Sequence, residues 1–109
     1  MKKFVLPILL AMTFSYAAAA PTVLPLWPEG VPGQKDIGPE QNGKGYIQNT
    51  SNPTLTLVGP AVDRPNGTAI IVAPGGGYVR QAVGREGTQY ATWLSTLGVT
   101  ALVQNYRMQ

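Results

Sequence analysis

The 109-residue chain contains no cysteine and no histidine. Without cysteine it can form no disulfide, and it cannot take a lipid on a lipobox thiol. Without histidine it lacks the general base of a Ser-His-Asp triad. It shows no cluster of metal ligands and implies no cofactor. Charge is sparse as well, with eight Lys and Arg against five Asp and Glu. Two of the bases, Lys2 and Lys3, stand at the very start, and without them six basic residues face five acidic ones, a net charge of +1. The remaining bases, Lys35, Lys44, Arg64, Arg80, Arg85 and Arg107, form no run, which speaks against nucleic acid or an anionic membrane as a partner. Glu29, Glu40 and Asp63 lie in separate turn-rich segments, so nothing pairs them as glycosidase acids. Long apolar runs are missing too. The most apolar segment, residues 4–14, is interrupted by Pro7 and Thr13 and is too short to span a bilayer, which takes about 20 residues.

What is present at the N-terminus has the three parts of a secretory signal peptide. Met1-Lys2-Lys3 is a positive start, residues 4–14 are the apolar core, and Ser15-Tyr16-Ala17-Ala18-Ala19-Ala20 supplies small residues for cleavage. Cleavage is expected after Ala19 or Ala17, because a cut after Ala20 leaves Pro21 at the new terminus. The expected address is bacterial and exported, periplasmic or secreted, with membrane contact only through the signal peptide during export. The expected organisation is a signal peptide over residues 1–19, an extended Pro/Gly-rich arm over 20–45, and the N-terminal portion of a larger domain over 46–109. After processing about 90 residues remain, short for a covered parallel sheet whose crossover units take about 30 residues each. The chain therefore reads as part of a longer enzyme, cut short.

The stretch around which the rest is organised is Thr68-Ala-Ile-Ile-Val-Ala-Pro-Gly-Gly-Gly-Tyr78. Its apolar run, residues 69–73, predicts a strand buried on both faces of a parallel sheet. Pro74 ends the strand. Gly75, Gly76 and Gly77 then offer backbone that accepts positive φ and a closely approaching ligand.

Around that centre, residues 21–45 read as a turn-rich arm rather than helix or strand, docked through Leu24, Leu26 and Trp27. Tyr46-Ile47-Gln48-Asn49 is the expected first strand. Thr54-Leu55-Thr56-Leu57-Val58 alternates, predicting a strand with one solvated face. Residues 79–85 have no clean period and read as loop. The spacing of Tyr90, Trp93, Leu94 and Leu97 predicts a helix over 86–97 that packs this stripe on the sheet. Glu86 suits its first turn and Gly98 its C-terminal cap. Residues 99–103 are the next strand, completing a βαβ unit.

Two chemistries of glycine loops fail at once. A dinucleotide fingerprint counted from Gly75 puts Arg80 at its third glycine, and no acid follows Glu86. A phosphate-cradling loop needs a lysine, and none follows Lys44. An oxyanion hole survives, since acyl transfer needs backbone N–H groups placed where the carbonyl oxygen becomes charged. In α/β-hydrolases one such donor comes from the loop after the third strand. A ligand-free tight turn is the competing account of the same glycines.

Trp27-Pro28-Glu29-Gly30, Asn49-Thr50-Ser51-Asn52-Pro53-Thr54-Leu55-Thr56, Pro74-Gly75-Gly76-Gly77-Tyr78, Glu86-Gly87 before Trp93-Leu94, and Asn105-Tyr106-Arg107 occur in this order. Together they resemble the N-terminal third of secreted bacterial α/β-hydrolases of the esterase/lipase type, often labelled xylanase or acetylxylan-esterase-like. The resemblance implies the first part of an α/β-hydrolase fold: first strands, oxyanion loop, first helix and next strand. It implies Gly75, Gly76 and Gly77 as the oxyanion loop of a carboxylic-ester hydrolase. The implied substrate is a small-molecule or polysaccharide ester, above all an acyl ester of plant polysaccharide. Tyr78 either lines the substrate pocket or covers the core. Trp27 is read as packing the arm rather than stacking on sugar, and Arg85 with Glu86 as a structural pair.

The chain departs from a working member in having no G-x-S-x-G and no histidine. Ser15, Ser51 and Ser95 lie in the signal, a turn and the helix, so none is a nucleophile. The Ser-His-Asp triad is expected beyond this fragment, and the fragment alone is expected to be inactive. The alternatives are a non-catalytic secreted envelope or carbohydrate-binding domain, and a hydrolase-like scaffold that has lost catalysis.

Overall fold

A computed structural model of the chain describes residues 21–108 apart from Val62 and Arg64. The expected signal peptide lies outside the described residues.

A four-stranded mixed sheet forms the body, with strand order β1-β4-β6-β5. β1 is Thr22–Pro25, β4 Thr54–Val58, β5 Ala69–Val72 and β6 Thr100–Asn105. β1 pairs antiparallel with β4 and β4 antiparallel with β6, while β5 and β6 run parallel. A separate hairpin joins β2, Gln41–Gly43, to β3, Tyr46–Gln48. Between β5 and β6 the chain makes a π-helical turn, Val83–Thr88, that continues into α1, Gln89–Thr96. The expected βαβ unit and the α/β class are present.

Two parts of the expected arm are strands. β1 lies along β4 in the register Thr22↔Leu57 to Pro25↔Thr54, and Pro25 closes it. An edge strand tolerates proline, which is why a Pro-rich segment can still pair. In the hairpin, Lys44 and Gly45 have φ of 43° and 84°, the two positive values of a type I′ turn. The arm is tied down further where Leu26 N–H donates to Pro53 O at 3.0 Å and Arg107 Nη1 to Pro32 O at 3.0 Å.

Three other expectations change. β5 is not buried on both sides: it is the sheet's edge, with Ile71 61% exposed, because no described strand or helix covers its outer side. β4 has no solvated face; all five residues are half-buried, since it sits between β1 and β6. The helical segment starts at Val83 rather than 86, so residues 83–85 are not loop.

The stripe on α1 is the clearest reversal. Tyr90, Trp93 and Leu97 are 56%, 59% and 53% exposed, and of the four expected residues only Leu94 packs on the core. The face against the sheet is Gly87, Ala91 and Ser95, spaced by four, all buried. Small residues let the helix approach closely. A Cβ at Gly87 would lie 2.8 Å from Val103 Cγ1 and 3.1 Å from Pro74 Cγ. Ala91, Ala101 and Val103 form the core, with Val58 and Leu94 against it. The buried Ser95 hydroxyl donates to Thr92 O at 2.7 Å, so burial strands no polar group.

The expected cap holds. Gly98 has φ 79°, its N–H donates to Ser95 O, and Val99 N–H donates to Leu94 O. That pair of bonds is a Schellman motif, which ends α1 and turns the chain into β6.

Candidate functional site

At the end of β5 the three glycines part ways, each for a separate physical reason. Gly75 is tied on both sides: its N–H donates to Glu86 Oε2 at 2.8 Å, and its carbonyl accepts from Ala82 N–H at 2.8 Å. Glu86 therefore anchors the loop from the π-helical turn, and no ion pair with Arg85 forms among the described residues. Gly76 is at the tightest point. Its carbonyl accepts from Val79 and Arg80 N–H, both at 3.3 Å, and a Cβ on it would fall 1.3 Å from Arg80 O. Gly77 has open space around it but a φ of 62°.

Tyr78 follows with φ 64°. With Gly76 O accepting from Val79 N–H, positive φ at both central residues makes Gly76–Val79 a turn of the I′ kind. A tyrosine there is strained by about 1–2 kcal/mol, since its Cβ crowds the backbone in the left-handed region. Its side chain is 87% exposed and covers no core. It borders a hollow of about 130 Å³ together with Ile37, Asn49, Thr50, Val79 and Met108.

The N–H groups of Gly76, Gly77 and Tyr78 donate to no other described residue. Successive N–H groups in such a turn form a concave nest suited to an anionic oxygen. Glu86 takes Gly75 out of that set and leaves the next positions free.

Behind the loop lies a buried polar clamp. Gln81 is fully buried. Its Nε2 is within reach of Asn105 Oδ1 at 2.9 Å, Tyr106 O at 2.6 Å and Thr50 Oγ1 at 3.1 Å. Its Oε1 accepts from Tyr106 N–H at 3.1 Å. Thr50 Oγ1 donates to Asn105 Oδ1 at 2.7 Å, and the Tyr106 hydroxyl donates to Pro74 O, immediately before the glycines. Gln81 and Ile47 also exchange backbone bonds, N–H to O, at 2.8 and 3.0 Å. The loop is thus fixed to the hairpin at one end and to the C-terminal end of β6 at the other. Every buried side-chain polar atom among the described residues has a partner. Thr50, Asn105 and Tyr106 belong to motifs singled out in the sequence. Gln81 does not, since its partners are distant in sequence and leave no local pattern.

Trp27 is half exposed and borders a cavity of about 240 Å³ with Leu26, Val31, Pro32, Pro53 and Tyr106. The expected docking of the arm through Leu24 and Trp27 is not seen: both are exposed, and the arm is held by backbone and Arg107 bonds instead. No group of acidic residues among the described ones is placed to hold a metal.

No protein-family model matches the chain. Over 46 residues, 42% of its length, it is 41% identical to an acetylxylan esterase of Xylanibacter ruminicola. The matched segment is 10% of that esterase's length, so the likeness covers a small part of the relative. The matched segment is esterase-like.

Proposed function

We propose that the chain carries the oxyanion-hole side of a serine carboxylic-ester hydrolase with an α/β-hydrolase fold, exported by a bacterium and acting on acyl esters of plant polysaccharide. The observation that carries the reading is the state of the loop N–H groups. Gly75 is bound by Glu86, while the N–H groups of Gly76 and Gly77 have no partner among the described residues and follow β5, the third strand of the sheet in chain order. Such a loop supplies one oxyanion donor in α/β-hydrolases. The identity to an acetylxylan esterase supports the substrate class. The strained φ of Tyr78 adds support, because strain of this kind persists where the surroundings over-determine a functional geometry.

In this mechanism a serine oxygen bonds to the ester carbonyl carbon as its proton passes to histidine, and the carbonyl π pair moves onto oxygen. The oxyanion is met by the N–H of Gly76 or Gly77. Collapse expels the alcohol oxygen, which takes the proton held by histidine. Water, losing a proton to the same histidine, then attacks the acyl-serine, and the serine oxygen leaves with that proton as acetate is released. Serine nucleophile, histidine and acid belong to the longer protein proposed to contain this segment. Hydrogen bonds realised only when charge develops lower the barrier, and losing one donor costs about 3–4 kcal/mol.

The test is acetate release from acetylated xylan by the full-length gene product. The expected result is saturable release, abolished by a serine-directed phosphonate. No release above background, or release unaffected by the phosphonate, overturns the reading.

A further inference from the structure

We propose that the hollow between the β2–β3 hairpin and Arg80 is a subsite for a carboxylate-bearing sugar unit of an oligosaccharide. The proposal rests on the polysaccharide-ester reading for its sugar scaffold, and on the hollow itself for the charge.

The hollow measures about 460 Å³ and is lined by Gln41, Asn42, Lys44, Tyr46, Gln48 and Arg80 around Gly43. Ligand sites typically fall at about 300–1,000 Å³. The hairpin register sets Gln41 opposite Gln48 and Gly43 opposite Tyr46, which puts two amides and an aromatic ring on one face. Each amide offers both a donor and an acceptor, the combination that neighbouring sugar hydroxyls require. A Cβ on Gly43 would meet nothing within 4 Å, so the space over this face is open.

Charge narrows the ligand further. Two cations border the hollow and no carboxylate does. The Arg80 guanidinium carbon stands 3.9 Å from the centre of the Tyr46 ring, which holds it at the wall. Glu40 is near by, but its oxygens accept from Asn42 Nδ2 at 3.2 Å and Asn105 Nδ2 at 3.4 Å. A guanidinium fork suits a planar carboxylate. The neutral amides beside it suit hydroxyls better than a bare inorganic anion. Arg80 N–H bonds to Gly76 O, and Ile47 of β3 bridges Gln81. The hollow is therefore built on the segment that carries the glycine loop, where a bound chain would present a neighbouring acyl group.

The test is calorimetric titration of the purified full-length protein at low salt with two xylo-oligosaccharides of equal length. One carries a glucuronic acid branch and the other does not. The acidic one is expected to bind at least about tenfold tighter, the usual worth of a hydrogen-bonded charge. Arg80→Gln should remove most of that preference. Gly43→Leu should block both ligands by filling the open space over the hairpin face. Unfolding curves verify that each variant folds. Equal affinity for the two sugars, no binding of either, unchanged preference in folded Arg80→Gln, unchanged binding in folded Gly43→Leu, or displacement by an equal concentration of inorganic phosphate overturns the proposal. Binding by a full-length protein that releases no acetate from acetylated xylan would sink the esterase reading and leave the subsite standing.

Discussion

Replacing Gly76 by alanine puts a Cβ 1.3 Å from the carbonyl oxygen of Arg80 and 2.4 Å from its carbon. A carbon and a carbonyl oxygen approach no closer than about 3.3 Å, so the loop must open by about 2 Å. Both groups in the clash are main chain, and no rotamer change relieves it. Opening breaks the bonds from Val79 and Arg80 N–H to Gly76 O and loosens that from Ala82 N–H to Gly75 O. At about 1 kcal/mol each, the loss is about 3 kcal/mol of stability. The same movement carries the Gly76 and Gly77 N–H groups off target, which should lower turnover a hundredfold or more, the effect of about 2.7–4 kcal/mol. Gly77→Ala is the control. Its Cβ meets nothing within 4 Å, and only the φ of 62° is unfavourable, at about 1–2 kcal/mol. Its N–H remains, so turnover per folded molecule should stay within a few-fold of the parent. Urea midpoints and turnover numbers of the full-length protein give both quantities. A Gly76→Ala protein with unchanged midpoint and unchanged turnover refutes the reasoning. So does a Gly77→Ala protein that falls as far as Gly76→Ala.

Glu86→Ala should free the Gly75 amide, raise its hydrogen-exchange rate and cost about 1 kcal/mol, less than a buried charged bond because both residues are exposed. Glu86→Gln keeps an acceptor and should fall between; identical exchange in all three proteins would show that Glu86 holds nothing. Gln81→Leu removes the partners of the Tyr106 N–H and carbonyl and leaves Thr50 Oγ1 and Asn105 Oδ1 only their bond to each other, and should cost about 3 kcal/mol. A urea midpoint corresponding to less than about 1 kcal/mol would mean water or neighbours replace the clamp. N-terminal sequencing of the exported protein should start between Ala18 and Ala20, and a product that retains Met1 contradicts the signal-peptide assignment.

Local signals carried most of the fold. The strands at Thr54–Val58, Ala69–Val72 and Thr100–Asn105 and the Gly98 cap each announce themselves within a few residues. Patterns failed where the deciding partner is elsewhere. Tyr90, Trp93 and Leu97 have helical spacing, but periodicity cannot say which face meets the sheet. Gly87, Ala91 and Ser95 took that place because small residues permit close approach. β1 was hidden by Pro25, and the hairpin by a Lys44-Gly45 turn in place of the stronger Asn-Gly signal. In the site, the glycine triplet was legible as flexible backbone. That Gly75 is occupied, Gly76 is sterically required and Gly77 is needed for its φ came only from contacts with Glu86 and Arg80. Gln81 was illegible, because its bonds span 24 to 31 residues.

The central claim is that the loop's free N–H groups receive the oxyanion of an ester's tetrahedral intermediate. A crystal structure of the full-length protein with a phosphonate bonded to its serine tests this most directly, since the phosphoryl oxygen stands where the oxyanion forms. The account predicts that oxygen at about 2.7–3.1 Å from the backbone nitrogen of Gly76 or Gly77, with Gly75 N–H still on Glu86. A phosphoryl oxygen held by other donors, with both glycine nitrogens beyond about 3.5 Å, contradicts it.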